Sequence, residues 1–234
     1  LYTETKIKES LQLEATTLST GIFINESSKE NPKFKFKALP LLAQASPSFG
    51  ITIADINNDS NLDIFLAQNF YNPQIETRPM DNALSILLTG DGKGNFEAMS
   101  AESSGIVLPG DSKGSSWGDL DNDGHPELLI TTNDGPISSF KLNNKSAINP
   151  YVRIKLKGSK NNPSAVGAVV RIQIDQDSQM TRTVTAGSGY LSQDPYSMLF
   201  PANIKGKKAT VTWPDGTITS SSIPRTSNSF VILR

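Results

Sequence analysis

Apolar and polar positions alternate with a period of two along nearly the whole chain. Residues 22–24, 34–36, 51–53, 64–66, 86–88, 128–130 and 152–156 each read as a short strand, bounded by Gly, Asn, Asp, Ser or Pro. No 12-residue stretch keeps an apolar face at i, i+3, i+4 and i+7, so the pattern predicts an all-β protein. The clearest strand is 166–174, where Val166, Ala168, Val170, Ile172 and Ile174 alternate with Gly167, Val169, Arg171, Gln173 and Asp175. That is the signature of a half-buried antiparallel strand.

The chain also repeats itself. Residues 50–69 (GITIADINNDSNLDIFLAQN) align with residues 114–133 (GSSWGDLDNDGHPELLITTN) at a constant offset of 64. Gly50 falls on Gly114, Asp55 on Asp119, Asp59 on Asp123 and Leu66 on Ile130. The same offset carries Ile22, Phe23 and Ile24 onto Ile86, Leu87 and Leu88, each trio followed by a polar turn and then Phe34 or Phe96. The predicted unit is four strands, two around an acidic turn and then a hairpin, which is the size and order of a β-propeller blade or a closely related stack. On this reading the chain holds half a blade, one full blade at about 46–100, and a shortened blade at about 112–144. The texture changes near Asn149, and further strands are predicted at 151–157, 166–174, 180–185, 209–213 and 230–233. A boundary is expected at about 146–149, after the polar linker Asn143, Asn144, Lys145 and Ser146. It divides a partial β-propeller of four-stranded antiparallel blades (1–147) from a small β-sandwich-like or barrel-like domain (148–234).

The strongest chemical signal lies in the two acidic turns. Oxygen-bearing residues recur at positions one, three, five, seven and nine, and a hard divalent cation such as Ca²⁺ takes 6–8 oxygens from such a set. In the first loop the expected ligands are the side chains of Asp55, Asn57, Asp59 and Asp63 with the backbone carbonyl of Asn61. In the second they are Asp119, Asp121, Asp123 and Glu127 with the carbonyl of His125. Two calcium sites are thus predicted, with the second loop the tighter by its count of carboxylates; extracellular modules of this kind bind at Kd of ~10⁻⁴–10⁻³ M. An EF-hand needs an acid at position 12 and flanking helices, whereas Leu66 and Ile130 stand there and strands flank both loops. A metal-free turn, stabilised only by Asp and Asn bonds to the local backbone, is the plainer alternative. Packing three or four carboxylates in one turn is repulsive without a cation, which favours the metal.

Composition narrows the chemistry. With 22 Lys+Arg against 23 Asp+Glu, the chain lacks the basic excess that binding nucleic acid requires. It has no cysteine and a single His, which excludes disulfides, thiolate metal sites and cysteine nucleophiles. His125 sits at loop position seven, which favours a solvent-facing side chain over a catalytic base. The run 90–94 (GDGKG) reads as a hairpin turn, because a phosphate loop needs a helix N-terminus behind it and Phe96 and Met99 suggest a returning strand. Trp117 and Trp213 lie in alternating strands and read as core. No apolar run approaches the roughly 18–20 residues of a membrane span. Beginning at Leu1 without a start Met or a basic leader, the chain reads as a mature or truncated piece.

The turns DxNxDxxxD and DxDxDGxxE, set between strands and 64 residues apart, resemble the FG-GAP/VCBS repeats of integrin-alpha-type β-propellers. Residues 149–223 resemble the ASPIC/UnbV domain that follows such repeats in the cartilage acidic protein family and its bacterial relatives. The matching stretches are 149–158 (NPYVRIKLKG), 161–170 (NNPSAVGAVV), 187–192 (GSGYLS) and 213–217 (WPDGT). The chain departs from that family at 199–202 (LFPA), where a Gly-Leu-Gly-like stretch is usual, and at Glu127, where Asp is usual. The resemblance implies an extracytoplasmic (secreted, periplasmic or cell-surface), calcium-stabilised scaffold for binding or adhesion, and no reaction. The expected ligand is a protein or glycan, and because two and a fraction blades cannot close a ring, N-terminal blades or a partner chain are expected to cover the face around residues 1–45. Two other readings stay open. One is the tail of a carbohydrate-active propeller enzyme, which expects Trp117, Tyr71 or Arg78 to line a cleft; the other is a purely structural spacer.

Overall fold

The structure, a computed structural model, describes residues 2–141, 151–176 and 178–234, in two compact units, Leu1–Leu39 and Pro40–Arg234. It is all-β, with short helical turns between strands. In the first unit Thr3 caps a single helical segment, α1 (Glu4–Glu9), by accepting a bond from the Lys6 amide. A hairpin follows, β1 (Gly21–Asn25) with β2 (Phe34–Ala38), paired from Gly21 opposite Ala38 to Asn25 opposite Phe34. The Phe23 and Phe36 rings meet edge to face at 5.4 Å.

The second unit opens with the two repeats. The first is a four-stranded antiparallel meander: β3 (Ser48–Ala54), β4 (Asp63–Gln68), β5 (Ile86–Gly90) and β6 (Phe96–Ala98). The run 90–94 lies in the hairpin between β5 and β6, as expected, with Gly90 paired opposite Phe96 and residues 91–95 making the turn. A one-turn helix, α2 (Ala101–Ser104), leads to the second repeat, β7 (Ser112–Gly118), β8 (Glu127–Thr132) and β9 (Ser138–Lys141). The first strand of each repeat carries a one-residue bulge at the same place, between Ser48 and Ile51 in one and between Ser112 and Ser115 in the other.

Packing follows from the alternation. On β3, Gly50, Thr52 and Ala54 are buried while Ile51 and Ile53 are exposed. The buried side meets β7: the Thr52 and Ser115 hydroxyls share a hydrogen bond of 2.7 Å. A side chain at Gly50 would run into the Lys113 carbonyl, so only Gly fits this approach. Ala54, Phe65, Ala67, Leu87, Trp117, Leu128, Ile130 and Tyr151 make one apolar cluster across the two repeats. Beside it Lys113 is buried on the ring of Phe49, 3.6 Å from its centroid, paired with Asp111 and donating to the Asn69 carbonyl at 2.7 Å.

The remaining strands are β10 (Val152–Lys157), β11 (Val169–Gln173), β12 (Gln179–Thr183), β13 (Met198–Phe200), β14 (Lys208–Thr212), β15 (Ile218–Ser222) and β16 (Ser229–Leu233). They form two sheets, β13-β10-β16 and β12-β11-β14-β15, around a second apolar cluster that includes Ile154, Val170, Ile172, Phe200, Val211, Trp213 and Ile232. The β10–β16 pairing is parallel; the other strand pairs described are antiparallel. Both Trp117 and Trp213 are core residues, at 9% and 2% exposure. The strand expected at 166–174 is shorter, because Ala165 (φ 57°) and Gly167 (φ 87°) take left-handed backbone. The Ala168 amide turns back to the Ala165 carbonyl, and the ladder starts only at Val169. The linker and the boundary expected at about 146–149 lie outside the described residues.

Candidate metal centres

Loops 55–63 and 119–127 link the first two strands of their repeats and share one backbone course. Asn58 and Asn122 lie at φ 63° and 62°, Ser60 and Gly124 at φ 78° and 88°. Left-handed positions two residues apart curl the chain around its own side chains. No helix flanks either loop, in keeping with rejection of an EF-hand.

In the first loop the inward carboxylates are held by backbone amides. The two oxygens of Asp55 accept from the Asp59 and Ser60 amides, each at 3.0 Å. Asp63 accepts from Ile56 (2.9 Å) and Asn57 (3.2 Å) with one oxygen and from Gly90 (3.0 Å) with the other. Asn57 Oδ1 accepts from the Asp59 amide at 3.0 Å, and Asp59 Oδ1 accepts from the Asn61 amide at 2.8 Å. Burial pushes the Asp55 carboxyl up to about 6, with the charges of Asp59 and Asp63 adding to the rise and the two amides opposing it. Burial raises Asp63 as well. These are the marks of carboxylates taken out of water without enough positive charge beside them.

The second loop is built alike but balanced differently. Asp119 Oδ2 accepts from the Gly124 amide (3.1 Å), Asp121 Oδ1 from Asp123 (3.1 Å), Asp123 Oδ1 from His125 (2.8 Å) and Glu127 Oε2 from Leu120 (2.9 Å). Two cations from outside the loop join it. The Lys141 ammonium reaches Asp123 at 2.6 Å, Glu127 at 2.8 Å and Asp121 at 3.1 Å. The Arg153 guanidinium pairs with Asp119 and donates to Asn122 Oδ1. The charge count that favoured the second loop therefore omitted two compensating groups.

Among the described residues, Asp119, Asp121 and Glu127 form the group of three acids whose oxygens lie within 4.8 Å of one another and could hold a metal ion. Asp55, Asp59 and Asp63 form no such group. A further observation bears on fit: Asp119 Oδ1 is buried without a hydrogen-bond partner. A buried carboxylate oxygen left unpaired is costly, and a hard cation is a suitable partner for it. Asn61 and His125 occupy the matched seventh positions, and the His125 residue is half-buried rather than fully solvent-facing.

Strand β10 ties both loops to the C-terminal sheets. Its neighbour Tyr151 donates its buried hydroxyl to the Asp55 carbonyl at 2.9 Å, and Arg153 grips the second loop. Asn203 adds a bond to Ser60 Oγ at 2.8 Å. None of these partners is signalled by the loop motifs, since they lie far off in sequence. A cleft of about 520 Å³ opens beside Trp117, with Ile53, Asp55, Arg182, Asp194 and Tyr196 among its walls. Tyr71 and Arg78 are not among them; Tyr71 donates its hydroxyl to the Pro109 carbonyl at 2.5 Å. No described helix is long and apolar enough to cross a membrane.

The chain is 24% identical over 208 residues to "Cartilage acidic protein 1" of Mus musculus, covering 86% of this chain and 31% of that protein. The Homo sapiens protein of that name gives 24% over the same length, covering 30% of it. The chain thus spans about a third of the length of these curated relatives. Residues 158–232, which contain β11 to β15, match the family described as ASPIC and UnbV.

Proposed function

We propose that this chain is a calcium-stabilised, non-catalytic binding scaffold, acting outside the cytoplasm and forming part of a larger β-propeller. Calcium in both loops would be held by Asp55, Asn57, Asp59, Asp63 and the Asn61 carbonyl, and by Asp119, Asp121, Asp123, Glu127 and the His125 carbonyl. The ion's role is structural: it offsets carboxylate repulsion and fixes turns on which Tyr151 and Arg153 of the C-terminal part are seated. The observation that carries the reading is the repetition itself, two loops of one backbone course with matched acids, one holding an unpaired buried oxygen at Asp119. The meander of β3 to β6 supports the blade reading, and the similarity to cartilage acidic protein 1 supports a place outside the cell. The ligand class proposed is a protein or glycan.

Thermal unfolding with EDTA and with added Ca²⁺ tests the metal: chelation should lower the midpoint and calcium should restore it. An unchanged midpoint under both treatments rejects the structural role. The enzyme alternative draws on one feature, the cleft that holds Arg182 with Asp55 and Asp194 near Trp117. Yet Asp55 is bonded to two amides, and Asp194 Oδ1 accepts from the Trp117 amide at 2.9 Å, so both acids have structural work. Turnover of a panel of glycans that is abolished in Arg182→Ala would favour the enzyme.

A further inference from the structure

Charge is divided unevenly within the second unit. Residues 40–147 hold five Lys+Arg and fourteen Asp+Glu, whereas residues 148–234 hold eleven and four, so one part carries −9 and the other +7. Among the described residues only two of those eleven cations meet a carboxylate in an ion pair, Arg153 at Asp119 and Arg234 at Asp215. The rest of the excess has no internal counter-charge, and a field of one sign over a surface concentrates anions beside it.

The four-stranded sheet β12-β11-β14-β15 offers that charge on a flat face. Val170, Ile172, Ala209 and Val211 point to the core, so the alternate positions, three on each strand, form the outer face. None of these twelve residues is acidic. A row across the middle reads Thr181, Arg171, Thr210 and Ser220. The guanidinium in this row donates to Thr212 Oγ1 at 3.1 Å and meets no other acceptor among the described residues. It has five N–H donors, so most of them remain for a ligand. Two residues before Thr210 on β14, Lys208 is exposed on the same face. Six of the ten other positions are Thr or Ser. The three described acids of this half lie off the face. Asp215 pairs with Arg234, Asp194 accepts from the Trp117 amide, and Asp175 holds Ser178 in the β11–β12 hairpin.

We infer that this face binds an acidic polysaccharide, a chain of sugars bearing carboxylate or sulfate groups. Such a polymer is one form of the proposed glycan ligand, so the assignment rests on the chain's binding role and not on calcium. Arg171 matches a carboxylate or sulfate with paired N–H donors, and Lys208 adds a second positive charge. The hydroxyls around them both donate to and accept from sugar hydroxyls. Other polyanions fit the face less well. It carries no aromatic ring on which a nucleic-acid base could stack. Its only apolar members, Val169 and Ile218, give little to insert into a lipid surface. The acidic repeats repel the same polymer, which directs it to this half of the molecule.

The test is a calorimetric titration of the whole chain, in calcium and again in EDTA. Heparin is the sulfated probe, polygalacturonate the carboxylate probe and dextran the neutral control. Heparin, polygalacturonate or both should bind and dextran should not, and the affinity should fall steeply as NaCl rises. Arg171→Gln/Lys208→Ala should lose about tenfold or more in affinity. Lys155→Ala/Lys157→Ala removes the same charge from the outer side of β10 and should stay within about threefold of wild type. Thr181→Glu puts an acid on the face at an exposed position; it should weaken binding as much as the first double variant, and it serves if that variant does not fold. Equal losses in the two double variants would mean that net charge alone is read, and they overturn the face. Affinity left unchanged by Arg171→Gln/Lys208→Ala or by Thr181→Glu in folded protein does the same. Duplex DNA or phosphatidylglycerol vesicles bound as tightly as the acidic polysaccharide at equal salt overturn the choice of a glycan. Failure of both acidic polymers to bind a chain whose unfolding midpoint still responds to calcium overturns the inference and leaves the calcium-stabilised scaffold standing.

Discussion

Asp55 allows the metal reading to be probed with protons. Its residue is 4% exposed and its carboxyl is held at about 6 in the folded protein, against an ordinary value of 3.8. The folded state thus binds this proton more tightly than the unfolded chain does, the reverse of a salt-bridged aspartate. The stabilisation from protonation is fully present below the unfolded value and is lost as pH rises through the folded one. A difference of about two units corresponds to ~3 kcal/mol at the limit, and about 2 kcal/mol of it falls between pH 4 and 7. Urea unfolding in EDTA at several pH values, for wild type and Asp55→Asn, reads the titration of this loop, because carboxylates remote from it cancel in the difference. Asn cannot accept from both the Asp59 and Ser60 amides, which adds an offset but no slope. In saturating calcium the trend should invert, since the ligand must ionise to bind and calcium's stabilisation then grows with pH through 6. A wild-type-minus-variant difference in EDTA that stays flat between pH 4 and 7 would refute the burial argument.

Lys141→Gln should weaken the protein in EDTA and raise the calcium affinity of the second loop, because it removes the ammonium from Asp121, Asp123 and Glu127; a calorimetric titration with unchanged affinity counts against competition at this site. Gly124→Ala, at φ 88°, should cost about 1 kcal/mol in urea unfolding. Ser60→Gly, at φ 78°, should gain up to about 1 kcal/mol less the loss of the Asn203 bond, and a destabilised variant would show that bond to dominate. Ile172→Ala, at a position with no exposure in the C-terminal cluster, should cost about 2–5 kcal/mol; a loss below 1 kcal/mol would mean that the core collapses around the deletion.

Strands such as β3, β10 and β11 were legible because each puts one face on a core, so the period of two survives in the residues themselves; β4, buried at every position, was legible only as a short apolar run between turns. The repeat was legible because Gly50/Gly114 and the loop acids are dictated by local needs: close approach, left-handed turns, carboxylates accepting from nearby amides. What the sequence hid is non-local. Lys141 and Arg153 reach the second loop from β9 and β10, and their distance along the chain gives no hint of the pairing. Counting charges within a motif therefore missed the compensation. The buried Lys113, which reads as a surface residue by type, owes its place to Asp111, Asn69 and the ring of Phe49. The early start assigned to the 166–174 strand failed because Val166 and Ala168 keep the apolar alternation while the backbone between them turns at Gly167.

The matched bulges in β3 and β7 have a bearing on how such a chain can change. One extra residue reverses which side of a strand looks at its neighbour, so an array whose members differed in this respect could not tolerate exchange of parts. Here the irregularity sits at the same point of each member. Cutting out or duplicating one whole period keeps every inward side chain in phase, whereas a deletion one residue off would turn the Thr52 side outward and Ile53 inward. An exchange of whole periods therefore leaves every strand facing as before.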